Sequence, residues 1–204
     1  MELSQEKAIL EESQSNPAAF GLIFDEYYGK LFGYTLKRVG RVEIAEDVVS
    51  EVFFKAVKSL PKFKWQNISV SSWLYKITTN EIKMWFRKKS NFHWSLEALQ
   101  EEVGFEPEGR MNLEEEVVEL QEQLESEELF KNVCEALQQL PLKYQEVISL
   151  RFFEEKTTPE IAEILDKREG TVRSLLSRGM EKLRSQFILS NSDTSVILNE
   201  AKAK

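Results

Sequence analysis

The side chains of this 204-residue chain that could do chemistry are cations set among aromatic and small polar residues, not nucleophiles set beside bases. One cysteine, Cys134, and one histidine cannot supply an intramolecular disulfide or a tetrahedral zinc site. No Gly-rich phosphate loop is present either, so neither an enzyme nor a metal or cofactor protein is expected. Lys62-Phe63-Lys64-Trp65-Gln66-Asn67 alternates cations with rings, which suits single-stranded nucleic acid: rings stack on bases while ammonium groups meet phosphates. The same hexapeptide would serve equally well to plug a loop onto an apolar core. Further on, Lys76, Thr79, Asn80, Lys83 and Arg87 share the polar strip of a helix predicted over about 71–89. Solvated strips usually mix signs. This one has three cations and no carboxylate, which points to phosphate and base contact.

Two other groups share a helix face. Asp47, Glu51, Phe54 and Lys58 recur at i, i+4, i+7 and i+11, so an aromatic ring stands among charges on an outward face. A lone exposed Phe is common, and an aromatic anchor for a partner looks the same. Near the end of the chain Arg173, Ser174, Ser177, Arg178 and Lys182 lie outward on a helix that follows a short turn, with Arg168 and Thr171 at its start. Two helices joined by a turn, the second carrying Arg and Ser, match what reading a DNA major groove requires. Helix pairs of this kind also occur in proteins that never touch DNA.

The elements that must carry these groups are helical. Eight Gly and five Pro leave too few turn residues for a many-stranded sheet, and the prediction is an all-α chain of two small domains. Asn16-Pro17 starts a helix carrying Phe20, Phe24, Tyr27, Tyr28, Leu31, Leu36 and Val39, and Gly40 stops it. Ile44, Ala45, Val48, Val49, Val52, Phe53, Ala56 and Leu60 form the inner stripe of a helix over about 43–60, ended by Pro61. Trp73, Leu74, Ile77, Met84 and Trp85 are the apolar side of the next. In the second domain Leu129, Phe130, Val133, Ala136, Leu137 and Leu140 form a stripe. Pro141 opens a helix burying Val147, Ile148 and Phe152, and Thr158-Pro159 caps a short helix burying Ile161, Ala162 and Leu165. Asp166–Gly170 is the turn, and a last helix from Gly170 or Thr171 buries Val172, Leu175, Leu176 and Leu183.

A net charge of −8 argues against a nucleic-acid partner until it is divided along the chain. Residues 1–89 carry 14 basic against 11 acidic residues, net +3, and residues 129–189 carry 10 against 9, net +1. Residues 90–128 carry 1 against 13, net −12, and read as an acidic linker. The predicted organisation is a first domain over 1–89, the linker over 90–128, a second domain over 129–189 and a tail over 190–204. Such weakly charged domains should hold duplex DNA only modestly by themselves. The first residues lack a basic, then apolar, leader, and no apolar run reaches about 18–20 residues, so a cytoplasmic chain without membrane insertion is expected.

Several of these segments resemble the extracytoplasmic-function (ECF) group of sigma-70-type RNA polymerase sigma factors. Phe24-Asp25-Glu26-Tyr27-Tyr28, Ala45 to Phe53, and Trp73-Leu74-Tyr75-Lys76-Ile77 with Asn80 are similar to sigma region 2. Leu140-Pro141, Glu146-Val147, Leu150-Arg151, Glu160 to Leu165 and Glu169 to Ser174 are similar to region 4. The resemblance implies a subunit that directs core RNA polymerase to promoters. Asp47, Glu51, Phe54 and Lys58 would dock on the polymerase. Lys62, Phe63, Lys64, Trp65, Asn67, Lys76, Asn80, Lys83 and Arg87 would capture the melted single-stranded −10 element. Arg168, Thr171, Arg173, Ser174, Ser177, Arg178 and Lys182 would read the −35 duplex. It also implies an acidic linker threading the polymerase's RNA path and an anti-sigma factor holding the protein inactive. The alternative is a stand-alone helix-turn-helix transcriptional regulator, which would leave the Lys62 to Arg87 surface unused. The chain departs from the family pattern at the turn, where Asp166 replaces the usual Gly and Lys167 an apolar residue, and at Trp65 and Met84.

Overall fold

A computed structural model of the chain describes residues 3–62, 69–91 and 128–202, with side chains described over 4–61, 69–88 and 128–186. Among the described residues every regular element is helical, in keeping with the scarcity of Gly and Pro. Helix α1, Leu3–Ser15, was not anticipated by the periodicity, because its buried positions include Glu6 and Ser13 beside Leu10. Its anchor is polar. The Glu6 carboxylate accepts the Tyr27 hydroxyl at 2.7 Å and the backbone N–H of Val70 at 2.9 Å. Burial, then the Glu6 hydrogen bond, pushes the Tyr27 phenol well above its ordinary pKa.

Asn16 does cap the next segment, its side chain accepting the Ala18 N–H at 3.3 Å, but the capped element is a short 3-10 turn, Pro17–Phe20. Helix α2, Gly21–Val39, follows and buries Ile23, Tyr27, Leu31, Tyr34, Thr35 and Arg38. Gly40 ends it at φ +74°, in the left-handed region where a side chain is strained. Helix α3, Val42–Ser59, presents the predicted inner stripe to α2, and Phe53 meets Phe24 with ring centroids 4.7 Å apart. After a turn at Leu60–Lys62 and residues outside the description, α4 runs from Val70 to Asn91 across both α2 and α3.

The second domain holds α5 (helical over 128–138), α6 (Leu142–Ile148), α7 (Thr158–Leu165) and α8 (Glu169–Lys202). Three sequence expectations need correction. Phe152 is exposed, not buried, because α6 widens at its end: over Ser149–Phe153 the Glu154 N–H bonds back five residues to the Ser149 carbonyl at 3.1 Å. That extra residue turns Phe152 off the apolar stripe. Leu129 and Phe130 are also exposed, since the buried part of α5 is confined to its last two turns at Ala136 and Leu137. The cap of α7 is Thr157, one residue earlier than predicted. Only that register puts Glu160 at the third position, where its carboxylate accepts the Thr157 N–H at 2.8 Å in a reciprocal capping box.

α6 and α8 pack tightly. A Cβ on Gly179 would lie 3.1 Å from Ile148 Cδ1 and 3.3 Å from Tyr144 Cβ, so the glycine permits the close approach. The two domains touch through α4 and α7, and their buried residues form one continuous apolar cluster. Helix α8 continues past the second domain without a break, so residues 190–202 extend it instead of forming a separate tail. The acidic linker lies outside the described residues.

Candidate nucleic-acid and partner interfaces

On α3 the spacing of Asp47, Glu51, Phe54 and Lys58 does place all four on the solvent side. Phe54 is 61% exposed, the Lys58 ammonium lying 5.8 Å from its ring centroid. This face is held in place by Lys55, which bonds Glu81 of α4 at 2.6 Å and Glu51 at 3.2 Å. Those hydrogen bonds, Glu81 foremost, raise the Lys55 pKa. An apolar ring fixed on a rigid helix and ringed by charge is a surface with uncovered area for a partner.

Of the residues expected to meet single-stranded DNA, Lys62 ends the turn after α3, and its side chain, with Phe63, Lys64, Trp65 and Asn67, lies outside the described residues. Lys76, Asn80 and Arg87 are exposed on α4. Two members of the strip behave differently. Thr79 is buried, not solvated, because its hydroxyl pairs with that of Tyr34 on α2 at 2.9 Å. Lys83 meets Glu146 of α6 at 3.2 Å, so a carboxylate from the other domain enters a strip that lacks one of its own.

The second expected DNA face is assembled by the α7–turn–α8 unit. Asp166 takes φ +53°, ψ +52°, the left-handed conformation usually given to Gly at this position and tolerated by Asp. The Lys167 N–H then closes α7 on the Ala162 carbonyl at 2.8 Å, and Val172, fully buried, anchors α8. Thr171, Arg173, Ser177, Arg178 and Lys182 are exposed along α8, Ser174 is half-buried, and Arg168 stands exposed in the turn. Arg173 bonds Glu169 at 2.7 Å one turn back on its own helix. The spacing therefore brings one contiguous set of hydrogen-bonding and cationic side chains to one face.

Sequence reasoning missed a charged seam between the domains. Arg38 is buried, donating from Nη1 to the Tyr34 hydroxyl at 2.8 Å, with Nη2 3.8 Å from Glu146 Oε1. Lys37 lies 3.5 Å from Glu154, whose carboxylate accepts the Tyr75 hydroxyl, and Lys156 donates to Ser71 at 2.8 Å. Burial, then the charge and hydrogen bond of Glu154, drives the Tyr75 pKa far upward, so its hydroxyl stays a donor. Gln138 of α5 donates to the Lys37 carbonyl at 3.1 Å at the end of α2. One signal was available: Arg38 continues the buried row Tyr27, Leu31, Tyr34, a place where a cation needs an anion brought to it.

Among the described residues no group of acids, histidines or cysteines is arranged to hold a metal ion, and no helix is long and apolar enough to cross a membrane. The comparisons with known proteins agree with this geometry. The profile for sigma-70 region 2 matches residues 23–92, and that for sigma-70, region 4 matches residues 131–183. The ECF RNA polymerase sigma factor SigW of Bacillus subtilis is 32% identical over 188 residues, covering 92% of this chain and 98% of the relative. The ECF RNA polymerase sigma-E factor of Escherichia coli K12 is 28% identical over 184 residues, covering 89% and 93%. Among solved structures, CnrH in complex with the cytosolic domain of CnrY superposes with a TM-score of 0.62 at 19% identity, covering 92% of this chain and 98% of that one. RpoE of Bartonella quintana, in complex with the anti-sigma factor NepR, gives 0.61 at 20% identity over 82% and 95%. The two folded units with their helix-turn-helix thus define a two-domain sigma protein. The chain belongs to the ECF sigma factors of the sigma-70 family.

Proposed function

We propose that this protein binds core bacterial RNA polymerase and directs it to a defined set of promoters. The observation that carries the reading is the pairing, in one chain, of a region 2 domain bearing the cationic α4 strip with a region 4 domain presenting the α8 face. Asp47, Glu51, Phe54 and Lys58 dock on the polymerase, with Phe54 as the apolar anchor. The segment Lys62 to Asn67 and Lys76, Asn80, Lys83 and Arg87 capture the melted −10 strand, and Arg168 to Lys182 of α8 read the −35 duplex. Sigma factors recruit a catalyst and are not themselves enzymes, so this chain supplies address, not chemistry. Its place of work is then the cytoplasm. The solved relatives are held in complexes with CnrY and NepR, and a comparable anti-sigma factor, gripping both domains, controls this chain.

Run-off transcription tests the reading. Core enzyme plus the purified chain should start transcripts from defined sites in host genomic fragments, while the chain alone should not protect an operator. Protection without polymerase, and no promoter activity with it, would establish the stand-alone regulator instead. Phe54→Ala should weaken core binding by roughly 10- to 100-fold, the usual cost of an interface anchor, and leave the melting temperature unchanged because the ring is exposed. Loss of the fold in that variant would show that Phe54 serves the interior.

A further inference from the structure

Three cations of the region 2 domain converge on two carboxylates of the region 4 domain. Arg38 and Lys83 approach the same oxygen of Glu146, at 3.8 and 3.2 Å, and Lys37 approaches Glu154 at 3.5 Å. Among the described residues, none of the three has a region 2 carboxylate within ion-pair distance. Their balancing charge is borrowed from a domain joined to theirs by a long linker.

The borrowing is imperfect. Glu146 is 2% exposed, so it is a charge taken almost wholly out of water, yet its Oε1 forms no hydrogen bond, and neither do Nε and Nη2 of Arg38. A guanidinium has five donors in a planar fork suited to two oxygens of one anion, and here most of the fork is unused. A phosphate, with several acceptor oxygens at that position, would satisfy it better than one carboxylate oxygen at 3.8 Å. Lys83 also belongs to the α4 strip, so the seam is continuous with the surface assigned to the −10 strand.

Resting on that promoter-binding reading, we propose that Lys37, Arg38 and Lys83 form a binding site for the DNA sugar-phosphate backbone, which Glu146 and Glu154 occupy in the closed chain in place of phosphates. Strand entry and packing of the two domains are then mutually exclusive at this site. The closed state lowers the apparent affinity of the chain for DNA by the fraction of molecules that are open. Polymerase, which must hold regions 2 and 4 apart over separate promoter elements, would bare the site only when a promoter is at hand.

The experiment uses the full chain without polymerase and a fluorescein-labelled oligo-dT single strand as probe. The double variant Glu146→Gln, Glu154→Gln should bind the probe about tenfold more tightly than wild type. Its log K against log salt should be steeper by about two units, as expected for about three added phosphate contacts at roughly 0.7 each. Adding Lys37→Gln and Arg38→Gln to that variant should return affinity to the wild-type value or below. Unchanged affinity in the first variant, or a gain that survives the second pair of substitutions, overturns the proposal. Should removal of Glu146 unfold the chain, as circular dichroism would show, Glu154→Gln alone decides: it frees Lys37 and should still give about a threefold gain, about one third of the logarithmic span, with a steeper salt slope. No gain there overturns the site. Parallel run-off transcription separates the two readings. Wild type active with core enzyme but no variant gaining affinity removes the masked site and keeps the sigma function. A gain in affinity with no promoter activity does the reverse.

Discussion

The two faces expected to meet DNA differ in what balances their charge. On α8, Arg173 is paired with Glu169 one turn away on the same exposed helix surface, and Arg178 and Lys182 stand in solvent. Such an i,i+4 pair is worth about 0.3–0.5 kcal/mol, so a phosphate or base edge displaces it at little cost. On α4, Lys83 and the adjoining Arg38 are balanced by Glu146, a nearly buried residue of the other domain. Breaking one side of a buried pair costs far more than breaking a surface one, because it leaves a charge without water or partner. The duplex-reading face is therefore ready in the folded chain, and part of the single-strand face is conditional on domain separation. Initiation needs that order, since duplex is met before any strand is melted.

The largest expected effect tests the ready face. Replacing both Arg173 and Arg178 by Ala should lower transcription from promoters that depend on the −35 element by roughly 1–3 kcal/mol per lost base or phosphate contact, about 10- to 100-fold each. Run-off assays on templates with and without that element would show the difference. A loss equal on both templates would mean that α8 acts outside the duplex. A second test bears on the scaffold of that face. Gly179→Val places a branched side chain where the Cβ alone already sits 3.1 Å from Ile148, and should destabilise the second domain by about 1–3 kcal/mol. Thermal unfolding would register it, and the α4 strip should keep its behaviour.

How much of this comparison was legible in the sequence follows from the range of the forces involved. The faces of α3, α4 and α8 depend on periodicity within one helix, and Asp47 to Lys58 and Arg173 to Lys182 were found where the spacing put them. Even the αL cap at Asp166 could be read from a single residue. Thr79 was misplaced because its polarity suits solvent as well as it suits a buried partner, and its partner Tyr34 sits on another helix. Helix α1 was missed because its inward face holds Glu6 and Ser13, which break the apolar period. The seam from Arg38 to Glu146 joins segments on either side of the acidic linker, and no local pattern states which two helices will meet across it.

The smallest expected effect concerns the turn that aims α8. Burial opposes ionisation of Glu160, but its hydrogen bonds from Thr157 outweigh that and hold the carboxyl below its usual range. A folded pKa below the unfolded one means that the contribution is complete above the unfolded value and is lost as pH falls through the folded one. The capping box should thus be intact at neutral pH and fail only in acid. Thr157→Ala should cost about 1 kcal/mol at pH 7, and this cost should shrink below the ordinary carboxylate range because the wild type loses its cap there too. Chemical denaturation of both proteins across that pH interval measures it. A cost that stays constant into acid would show that the Glu160 charge takes no part in fixing α7, and that the ready face of α8 is aimed by packing at Val172 and Gly179 alone.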